Sequence, residues 1–312
     1  MRLVGFCLAA GAGSRLAPLT DRVPKPLLAP AGRPLVDLAL DGLAAAGAPR
    51  AVVNAHHHAG LLAAHLAGRA GCTVLREPRL LGTGGGLANA RRRGLLGAEV
   101  VLVTCADVLV DPADLARLAG ALRAGAGAAV GLVPGADNPL RLRLAGGLVR
   151  PDERGRWASA GVYAVRTEAL DALGPGPSEL VPALLEPLWR AGRLAGAPLA
   201  GAWADAGSRV RFLDAAAGLL RGRWPYPPPP GRLDRTGPVL VVEGATVAAS
   251  ARMAGTAVVD RGARVGQGAR IEDAVLGPGS AVGAGARVTA SVLGPGATVA
   301  PGATVEEALL AG

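Results

Sequence analysis

Lysine and aromatic residues are nearly missing from this chain of 312 residues. Of the 33 basic side chains only Lys25 is not an arginine, and aromatic residues make up 3% of the composition. The stacking platforms on which proteins hold single-stranded nucleic acids are therefore scarce. The formal net charge of +9 then indicates an enzyme of anionic substrates, and we expect no nucleic-acid partner.

Cysteine is also rare, and long apolar runs do not occur. Cys7, Cys72 and Cys105 lie in short apolar stretches, which predicts buried thiols in a reducing cytoplasm and not a disulfide framework or a metal site. The first residues lack the charged lead and the cleavage pattern of a signal peptide. No stretch of about 18 strongly apolar residues is present, so we expect a cytoplasmic protein with no membrane partner.

What the chain does have is a glycine-rich turn near its start. The apolar run 3–8 predicts a buried strand, and Gly11 and Gly13 follow it in a loop that we expect to open a helix. Glycines let the backbone approach an anion, and the N–H groups at a helix start face it. The spacing is neither that of a P-loop nor that of the dinucleotide fingerprint, since Leu16 stands where the third glycine would be.

Two cations accompany this turn, Arg15 and Lys25. Lys25 lies between Pro24 and Pro26, which restrict its backbone. Fixed cations beside an anion-binding turn suit a polyphosphate whose charge changes during a reaction. Because a compact ammonium and a planar guanidinium are not equivalent at a crowded phosphate, the position of the single lysine favours a functional role over chance.

Strands and helices alternate over residues 1–222, which is the pattern of an α/β protein with a mostly parallel sheet. Ligands of such sheets bind outside the carboxyl ends of the strands. Asn54, the stretch 77–86 with its glycines and Asp107 each follow a predicted strand, so we expect them at that edge. The strands are predicted at 3–8, 50–54, 72–76, 99–104, 127–133 and 160–165.

The composition changes after residue 222. Residues 223–238 are predicted to be a proline-rich linker, and residues 239–312 a separate domain in which apolar residues recur six apart, with two steps of five. This hexapeptide period is typical of a parallel β-helix. The apolar positions are Val241, Val247, Met253, Val259, Val265, Ile271, Leu276, Val282, Val288, Leu293, Val299 and Val305.

The opening motif is similar to the signature of one enzyme family, the sugar-1-phosphate nucleotidylyltransferases or NDP-sugar pyrophosphorylases. The similarity is carried by Leu8-Ala9-Ala10-Gly11-x-Gly13-Ser14-Arg15-Leu16-x-Pro18-Leu19-Thr20 and Pro24-Lys25-Pro26-Leu27. It implies a Rossmann-like sheet and a Mg²⁺-dependent transfer of a nucleotidyl group from an NTP to a sugar 1-phosphate. The repeats at 239–312 resemble the left-handed β-helix of hexapeptide-repeat proteins.

The resemblance also implies roles for single residues. Asp107 and Asp205, the latter in a segment that resembles the family's Trp-x-Asp-x-Gly-Thr/Ser, would bind Mg²⁺, and Arg15 and Lys25 would be catalytic. Nucleotide-binding residues would be Leu8, Ala9, Ala10, Gly11, Gly13, Ser14, Asn54, Gly82, Thr83 and Gly84. The sugar phosphate would be bound by Asn138, Arg150, Ser159 and Gly161.

Several alternatives stay open at this stage. Mannose 1-phosphate with GTP is the preferred substrate pair, N-acetylmuramate 1-phosphate with UTP the second and glucose 1-phosphate the third. A catalytically silent regulatory homologue is an alternative of another class. A zinc site at the four histidines His56, His57, His58 and His65 is a further alternative. Residues 231–312 contain no histidine to serve as an acyltransferase base, so the repeats are predicted to be structural and to support a homo-oligomer.

Overall fold

The computed structural model describes residues 1–123, 125–135, 140–227, 231–234 and 237–312. The chain divides into two compact units. The first unit is Met1–Gly11 with Ala39–Trp203, and the second unit is Ala12–Leu38 with Ala204–Gly312. The division into domains 1–222 and 239–312, which follows the sequence motifs, stays a prediction.

A nine-stranded sheet forms the first unit, in the order β3-β2-β1-β4-β9-β6-β10-β8-β7. Seven strands run in one direction, and β8 and β9 run against them. This confirms the predicted α/β class with a mostly parallel sheet. With the short β5 outside the sheet, the strands are Leu3–Leu8 (β1), Ala51–Ala55 (β2), Cys72–Arg76 (β3), Val100–Cys105 (β4), Val108–Val110 (β5), Ala128–Pro134 (β6), Leu142–Ala145 (β7), Leu148–Pro151 (β8), Trp157–Arg166 (β9) and Leu194–Pro198 (β10).

Helices connect these strands. The start of the fourth helix is capped by Asp111, whose carboxylate accepts the N–H of Ala113 at 2.8 Å, and Pro112 occupies the first position, where no N–H is needed. No helix in the described part of the chain is long and apolar enough to cross a bilayer. The helices are Leu35–Ala45 (α1), Ala59–His65 (α2), Gly82–Arg92 (α3), Pro112–Gly120 (α4), Glu186–Arg190 (α5) and Arg209–Leu220 (α6).

The helix expected after Gly13 does not form, and that prediction is wrong. Three separate 3-10 turns replace it, at Ser14–Leu16, Leu19–Asp21 and Lys25–Leu27. Pro18, Pro24 and Pro26 explain the interruption, because proline lacks the N–H that a longer helix would use and restricts the preceding residue. Further short turns lie at Thr167–Ala172 and, in a wider π form, at Val181–Leu185.

The three cysteines lie in the first unit as thiols. Cys7 is buried in the sheet, whereas Cys72 and Cys105 are half-buried. Burial raises the pKa of the Cys7 thiol well above its ordinary value, because a thiolate is poorly solvated there. The expectation of buried thiols is therefore met in full only by Cys7.

The second unit contains many short strands. We call residues 232–310 the strand-rich region. Its first strand pairs antiparallel with the second, and the later pairings are parallel, with partners 18 residues apart at Val241 and Val259 and 17 apart at Ile271 and Val288. The strands are Trp203–Asp205 (β11), which begins in the first unit, Arg232–Asp234 (β12), Val239–Val241 (β13), Thr246–Val247 (β14), Arg252–Val259 (β15), Arg264–Val265 (β16), Arg270–Leu276 (β17), Ala281–Val282 (β18), Arg287–Thr289 (β19), Val292–Leu293 (β20), Thr298–Val299 (β21), Thr304–Glu306 (β22) and Leu309–Leu310 (β23).

Most of the predicted hexapeptide positions lie in the interior of this region or pack against it. Those from Val259 to Val299 pack in one buried cluster, with Ala257, Ala263 and Ala269 between them. Non-glycine residues in the left-handed conformation stand at corners of the chain, two residues after Ile271, Val288 and Val305. They are Asp273, Ala290 and Glu307, with φ of 47, 45 and 46°, and the first two lie in the two five-residue steps.

A second apolar column faces away from that interior. Val258, Val275 and Val292 immediately precede interior residues in their strands, yet they are 0, 2 and 3% exposed. Since successive side chains of a strand point to opposite faces, these valines must be buried by an element outside the interior cluster. The helix that packs on the strands β15 and β17 is α6, and its inward residues include the buried Phe212.

Asp114 is a buried carboxylate of the first unit, 2% exposed, and its effect on stability can be tested. Burial raises its pKa, but hydrogen bonds from the N–H groups of Ala200 and Gly201 and from Arg117 outweigh this and leave the pKa lowered. Its contribution to the free energy of unfolding is then complete above the unfolded pKa of about 4 and is lost as the pH falls through the folded pKa. We expect Asp114→Asn to cost about 1–3 kcal/mol at pH 7 and progressively less as the pH falls below about 4, measured by urea unfolding.

The matched control for this prediction is Asp171→Asn. Asp171 also binds an arginine, Arg91, at 2.8 Å, but its side chain is 58% exposed. Exposed pairs contribute little, so the urea midpoint of the control should hardly move. A loss in Asp114→Asn that is the same at pH 7 and at low pH would contradict the assignment.

Candidate active site

Buried polar side chains tie together the carboxyl ends of β1, β2 and β3. Asn54 accepts the N–H of Ala9 at its Oδ1 (2.8 Å) and donates from Nδ2 to Oε1 of Glu77 (2.9 Å). The other carboxylate oxygen of Glu77 accepts the N–H of Leu81 at 3.2 Å. Asn54 and Glu77 are 2 and 3% exposed, so this network fixes the loops that follow three strands.

Asn54 is thus engaged with protein atoms, and its predicted contact with a nucleotide stays a prediction. In the structure Asn54 fixes the position of Ala9, which is one of the predicted nucleotide-binding residues. Glu77 opens the predicted stretch 77–86, but the sequence alone assigned it no role of its own. Its role depends on partners in other strands, and the only local signal is a carboxylate directly after an apolar strand.

The glycine-rich start of α3 packs tightly on the segment Ser178–Glu179. The N–H groups of Gly84 and Gly85 both donate to the carbonyl oxygen of Ser178, at 2.9 and 3.0 Å. Thr83 donates through its hydroxyl to Oε2 of Glu179 at 2.6 Å. A Cβ atom on Gly85 would lie 2.5 Å from the carbonyl oxygen of Gly176, so the glycine there is required by this close approach.

These contacts qualify the predicted role of Gly82, Thr83 and Gly84. Because an N–H group donates one strong hydrogen bond, the engaged groups of the first turn would have to exchange partners before they could bind a nucleotide. The residues therefore shape the edge of the first unit through packing. Nucleotide binding by Gly82, Thr83 and Gly84 stays a prediction.

The strand β9 bulges at Gly161, where the pairing with β6 shifts register and φ is +74°. The N–H of Gly161 donates to Oγ of Ser159 at 3.2 Å, and Oγ donates to the Tyr163 hydroxyl at 3.0 Å. Burial raises the pKa of Tyr163 to about 12, so this hydroxyl stays protonated. Ser159 and Gly161 thus lie together in the bulge.

Two further predicted sugar-phosphate residues are placed differently. Arg150 is exposed on the short strand β8. Asn138 lies outside the described residues. Among the described members of the predicted sugar-binding set, Ser159 and Gly161 lie together at the bulge of β9, and Arg150 lies on another strand.

Asp107 stands at the carboxyl edge of the sheet, as predicted. The N–H of Ala106 donates to the carbonyl oxygen of Leu8 at 3.0 Å, which is the last rung between β1 and β4. Asp107 follows that rung, half-buried, before β5 begins. The predicted nucleotide-binding residues Leu8, Ala9 and Ala10 leave the same edge on the neighbouring strand.

The turn that carries Ser14 and Arg15 belongs to the second unit. Gly13 has a φ of +68°, and its carbonyl oxygen accepts the hydroxyl of Thr20 at 3.2 Å. A Cβ atom on Gly13 would lie 2.9 Å from Thr20 Cγ2 and 3.0 Å from Lys25 Cβ. The single lysine is thus packed against the glycine turn, which only a residue without a side chain permits.

Asp205 and Arg15 meet at Gly207 in the same unit. Asp205 accepts the N–H of Gly207 at Oδ1 and a guanidinium N–H of Arg211 at Oδ2, both at 2.6 Å. A Cβ atom on Gly207 would lie 2.5 Å from Nη2 of Arg15. Arg211 was not predicted, although its position six residues after Asp205, in the first turn of α6, places it within reach.

Asp107 in the first unit and Asp205 in the second unit each carry a carboxylate, the kind of ligand that Mg²⁺ prefers. This ion commonly uses only one or two carboxylates together with substrate phosphates, and its binding by these two residues stays a prediction. Among the described residues no three His, Cys, Asp or Glu side chains form a metal site by themselves. This finding gives no support to a zinc site at His56, whose Nδ1 lies in hydrogen-bond contact with the carbonyl oxygen of Glu77 at 2.9 Å.

Comparison with known proteins agrees with the motifs. A sequence model of the nucleotidyl transferase family matches residues 4–222. The chain belongs to this family. It is 31% identical over 297 residues to the mannose-1-phosphate guanylyltransferase of Mycobacterium tuberculosis, covering 86% of this chain and 78% of that protein.

Two other similarities are informative for this nucleotidyl transferase. It is 34% identical over 250 residues to the N-acetylmuramate alpha-1-phosphate uridylyltransferase of Caulobacter vibrioides, covering 69% of this chain and 96% of that protein. A Bacillus anthracis structure described as a glucose-1-phosphate thymidylyltransferase superposes with a TM-score of 0.60 at 21% identity, over 69% of this chain and 94% of that chain. The second similarity concerns the fold alone.

The Asn54–Glu77 network predicts a large effect of one substitution in this nucleotidyl transferase. Glu77→Ala leaves the donors of Asn54 and Leu81 buried without an acceptor, and we expect a loss of roughly 2–5 kcal/mol in the free energy of unfolding. Glu77→Gln keeps one acceptor and should lose less. Urea unfolding measures both, with Glu153→Ala at an exposed position as the control; equal stability of Glu77→Ala and the control would contradict the network.

Proposed function

We propose that the chain catalyses nucleotidyl transfer from an NTP to a sugar 1-phosphate, giving an NDP-sugar and pyrophosphate, with GTP and mannose 1-phosphate as its substrates. The observation that carries this proposal is the arrangement at Gly207, where Arg15 and the Asp205–Arg211 pair lie against one glycine. The similarity to the M. tuberculosis guanylyltransferase, which extends beyond residue 222, favours the mannose pair.

The proposed chemistry needs no nucleophile from the protein. An oxygen of the sugar phosphate, already ionised, forms a bond to the α-phosphorus of the NTP, and the bond from that phosphorus to the bridging oxygen of the β-phosphate breaks. Pyrophosphate carries away the electron pair and the charge. Catalysis is then positioning and charge neutralisation.

Arg15 and Lys25 supply the neutralisation in this proposal. Both are cations held by close packing, against Gly207 and Gly13 respectively, so little reorganisation is needed when the triphosphate binds. Asp107 and Asp205 would hold Mg²⁺, which adds charge neutralisation at the phosphates when bound. Arg211 keeps the carboxylate of Asp205 in one orientation.

Binding of the substrates is assigned as the motif predicts. Ser159 and Gly161 in the β9 bulge, together with Arg150 and Asn138, would bind the sugar phosphate. The nucleotide would be bound by Leu8, Ala9, Ala10, Gly11, Gly13, Ser14, Asn54, Gly82, Thr83 and Gly84.

We further propose that the strand-rich region is a left-handed β-helix. The stacked parallel pairings 17 or 18 residues apart support this, since three hexapeptides would make one coil. Through it the chain would form a homo-oligomer, and light scattering of the purified protein measures that state directly.

The proposal is tested by measuring pyrophosphate release over a matrix of substrates. GTP, UTP, ATP and dTTP are combined with mannose, N-acetylmuramate and glucose 1-phosphates in the presence of Mg²⁺. We expect the highest kcat/KM for GTP with mannose 1-phosphate. A preference for UTP with N-acetylmuramate 1-phosphate would replace the substrate pair, and binding of NTP without turnover of any pair would establish a silent homologue instead.

The single lysine offers the sharpest mutational test. Lys25→Ala should lower kcat about 10²–10³-fold, because a fixed charge at the reacting phosphates is lost, while the urea midpoint stays within error of wild type. Arg22→Ala, at an exposed position in the same segment, is the control and should retain activity. Unchanged turnover of Lys25→Ala would refute the role.

A further inference from the structure

Arg209, the first residue of α6, binds the strand-rich region at one of its corners. Its Nη1 donates to the carbonyl oxygen of Ala290, and its Nη2 donates to Oε2 of Glu307 at 3.2 Å. Ala290 and Glu307 are the left-handed corner residues of two successive rungs. The Arg209 side chain is only 20% exposed, so its charge is substantially withdrawn from water at this corner.

The same helix covers an apolar surface of that region. The outward column Val258, Val275 and Val292 is buried, and α6 packs on the strands β15 and β17 that carry its first two members. Apolar burial holds the body of the helix, and Arg209 fixes its first turn. The start of α6 is therefore not free to shift along the strand-rich region.

What α6 holds at its start is the Asp205 cluster. Asp205 precedes Arg209 by four residues. One oxygen of its carboxylate accepts the N–H of Gly207, and the other accepts a guanidinium N–H of Arg211. These two donors lie on either side of Arg209 in the chain. The Arg15 guanidinium lies against Gly207. A displacement of the first turn of α6 would thus move the proposed metal ligand and the proposed catalytic cation together.

A second segment rests on the strand-rich region as well. Leu19, 1% exposed, approaches Gly294 so closely that a Cβ atom there would lie 2.9 Å from Leu19 Cδ2. Leu19 begins the short turn between Gly13 and Lys25, and its neighbour Thr20 binds the Gly13 carbonyl oxygen. The loop that carries both proposed cations therefore has its own support.

We propose that the strand-rich region positions the catalytic segments of this enzyme, with Arg209 as a positioning residue for Asp205 and Arg15. The region then acts as a brace within the protomer, beyond any role in assembly. This inference rests on the proposed function for what is positioned. The brace itself is a property of the apoprotein and is tested without substrates.

The first experiment is hydrogen–deuterium exchange of the full-length protein with the substitution Arg209→Ala. We expect hydrogen exchange over 203–211 to become about tenfold faster, because the loss of a hydrogen bond from a charged group makes local opening easier by about this factor. Exchange in the sheet of the first unit should not change. Arg287→Ala is the control, since Arg287 is exposed three residues before Ala290. Exchange over 203–211 equal to wild type in Arg209→Ala would overturn the brace.

A kinetic experiment then separates positioning from general destabilisation. Arg209→Ala should lower kcat and raise the Mg²⁺ concentration for half-maximal activity, with little change in KM for the sugar phosphate, and Arg209→Lys should restore part of both. Glu307→Gln keeps Ala290 as acceptor and should be milder. Wild-type Mg²⁺ dependence in a folded Arg209→Ala protein would overturn the positioning role.

The Leu19 contact gives an independent readout. Gly294→Val should push Leu19 away and speed exchange over 14–27, while Arg209→Ala should leave that stretch less affected than 203–211. If wild-type protein turns over no substrate pair, the proposed function fails and the exchange data alone decide whether the brace exists. If wild type is active and all variants match it in exchange and kinetics, the function stands and the brace fails.

Discussion

Close approach of the backbone at glycine is the constraint on which the candidate residues depend. Gly13 leaves room for Lys25, and Gly207 leaves room for Arg15. In the first unit Gly86 does the same for the buried pair of Asn54 and Glu77, since a Cβ atom there would lie 2.7 Å from Asn54 Nδ2. The charged and polar groups thus occupy space that is open because the neighbouring glycines have no side chain. A single methyl group at these glycines would displace them.

The strands of the first unit could be predicted because their signal is local. Apolar runs bounded by turn residues gave each of six strands to within three residues. The failure after Gly13 has an equally local cause, since the prolines that mark the motif also prevent the helix that a phosphate-binding turn usually opens. The short strands β7 and β8 each carry an arginine, and β8 ends at a proline, so their strand structure depends on their neighbours in the sheet.

The partners in the candidate site could not be predicted, because they lie far along the chain. Thr83 binds Glu179 across 96 residues, and Arg209 binds Ala290 across 81. The sequence nevertheless contains one signal that another element packs on the strand-rich region. The hexapeptide period requires one inward apolar residue in each hexapeptide. Val258, Val275 and Val292 each add a second apolar residue next to an inward one. Continuous apolar runs of this kind are typical of strands that are buried on both faces.

Electrostatics explains why Asp205 is bound to an arginine in a protein that acts on phosphates. Arg15 and Arg211 together exceed the charge of the one carboxylate, so the cluster at Gly207 keeps a positive excess, which would attract the triphosphate of the proposed reaction. The carboxylate in turn keeps the two guanidinium groups from repelling each other at short range. Because Arg15 and Asp205 lie against the same glycine, and Arg211 is fixed by the helix that the strand-rich region holds, the excess charge has one location, which preorganised charge stabilisation requires.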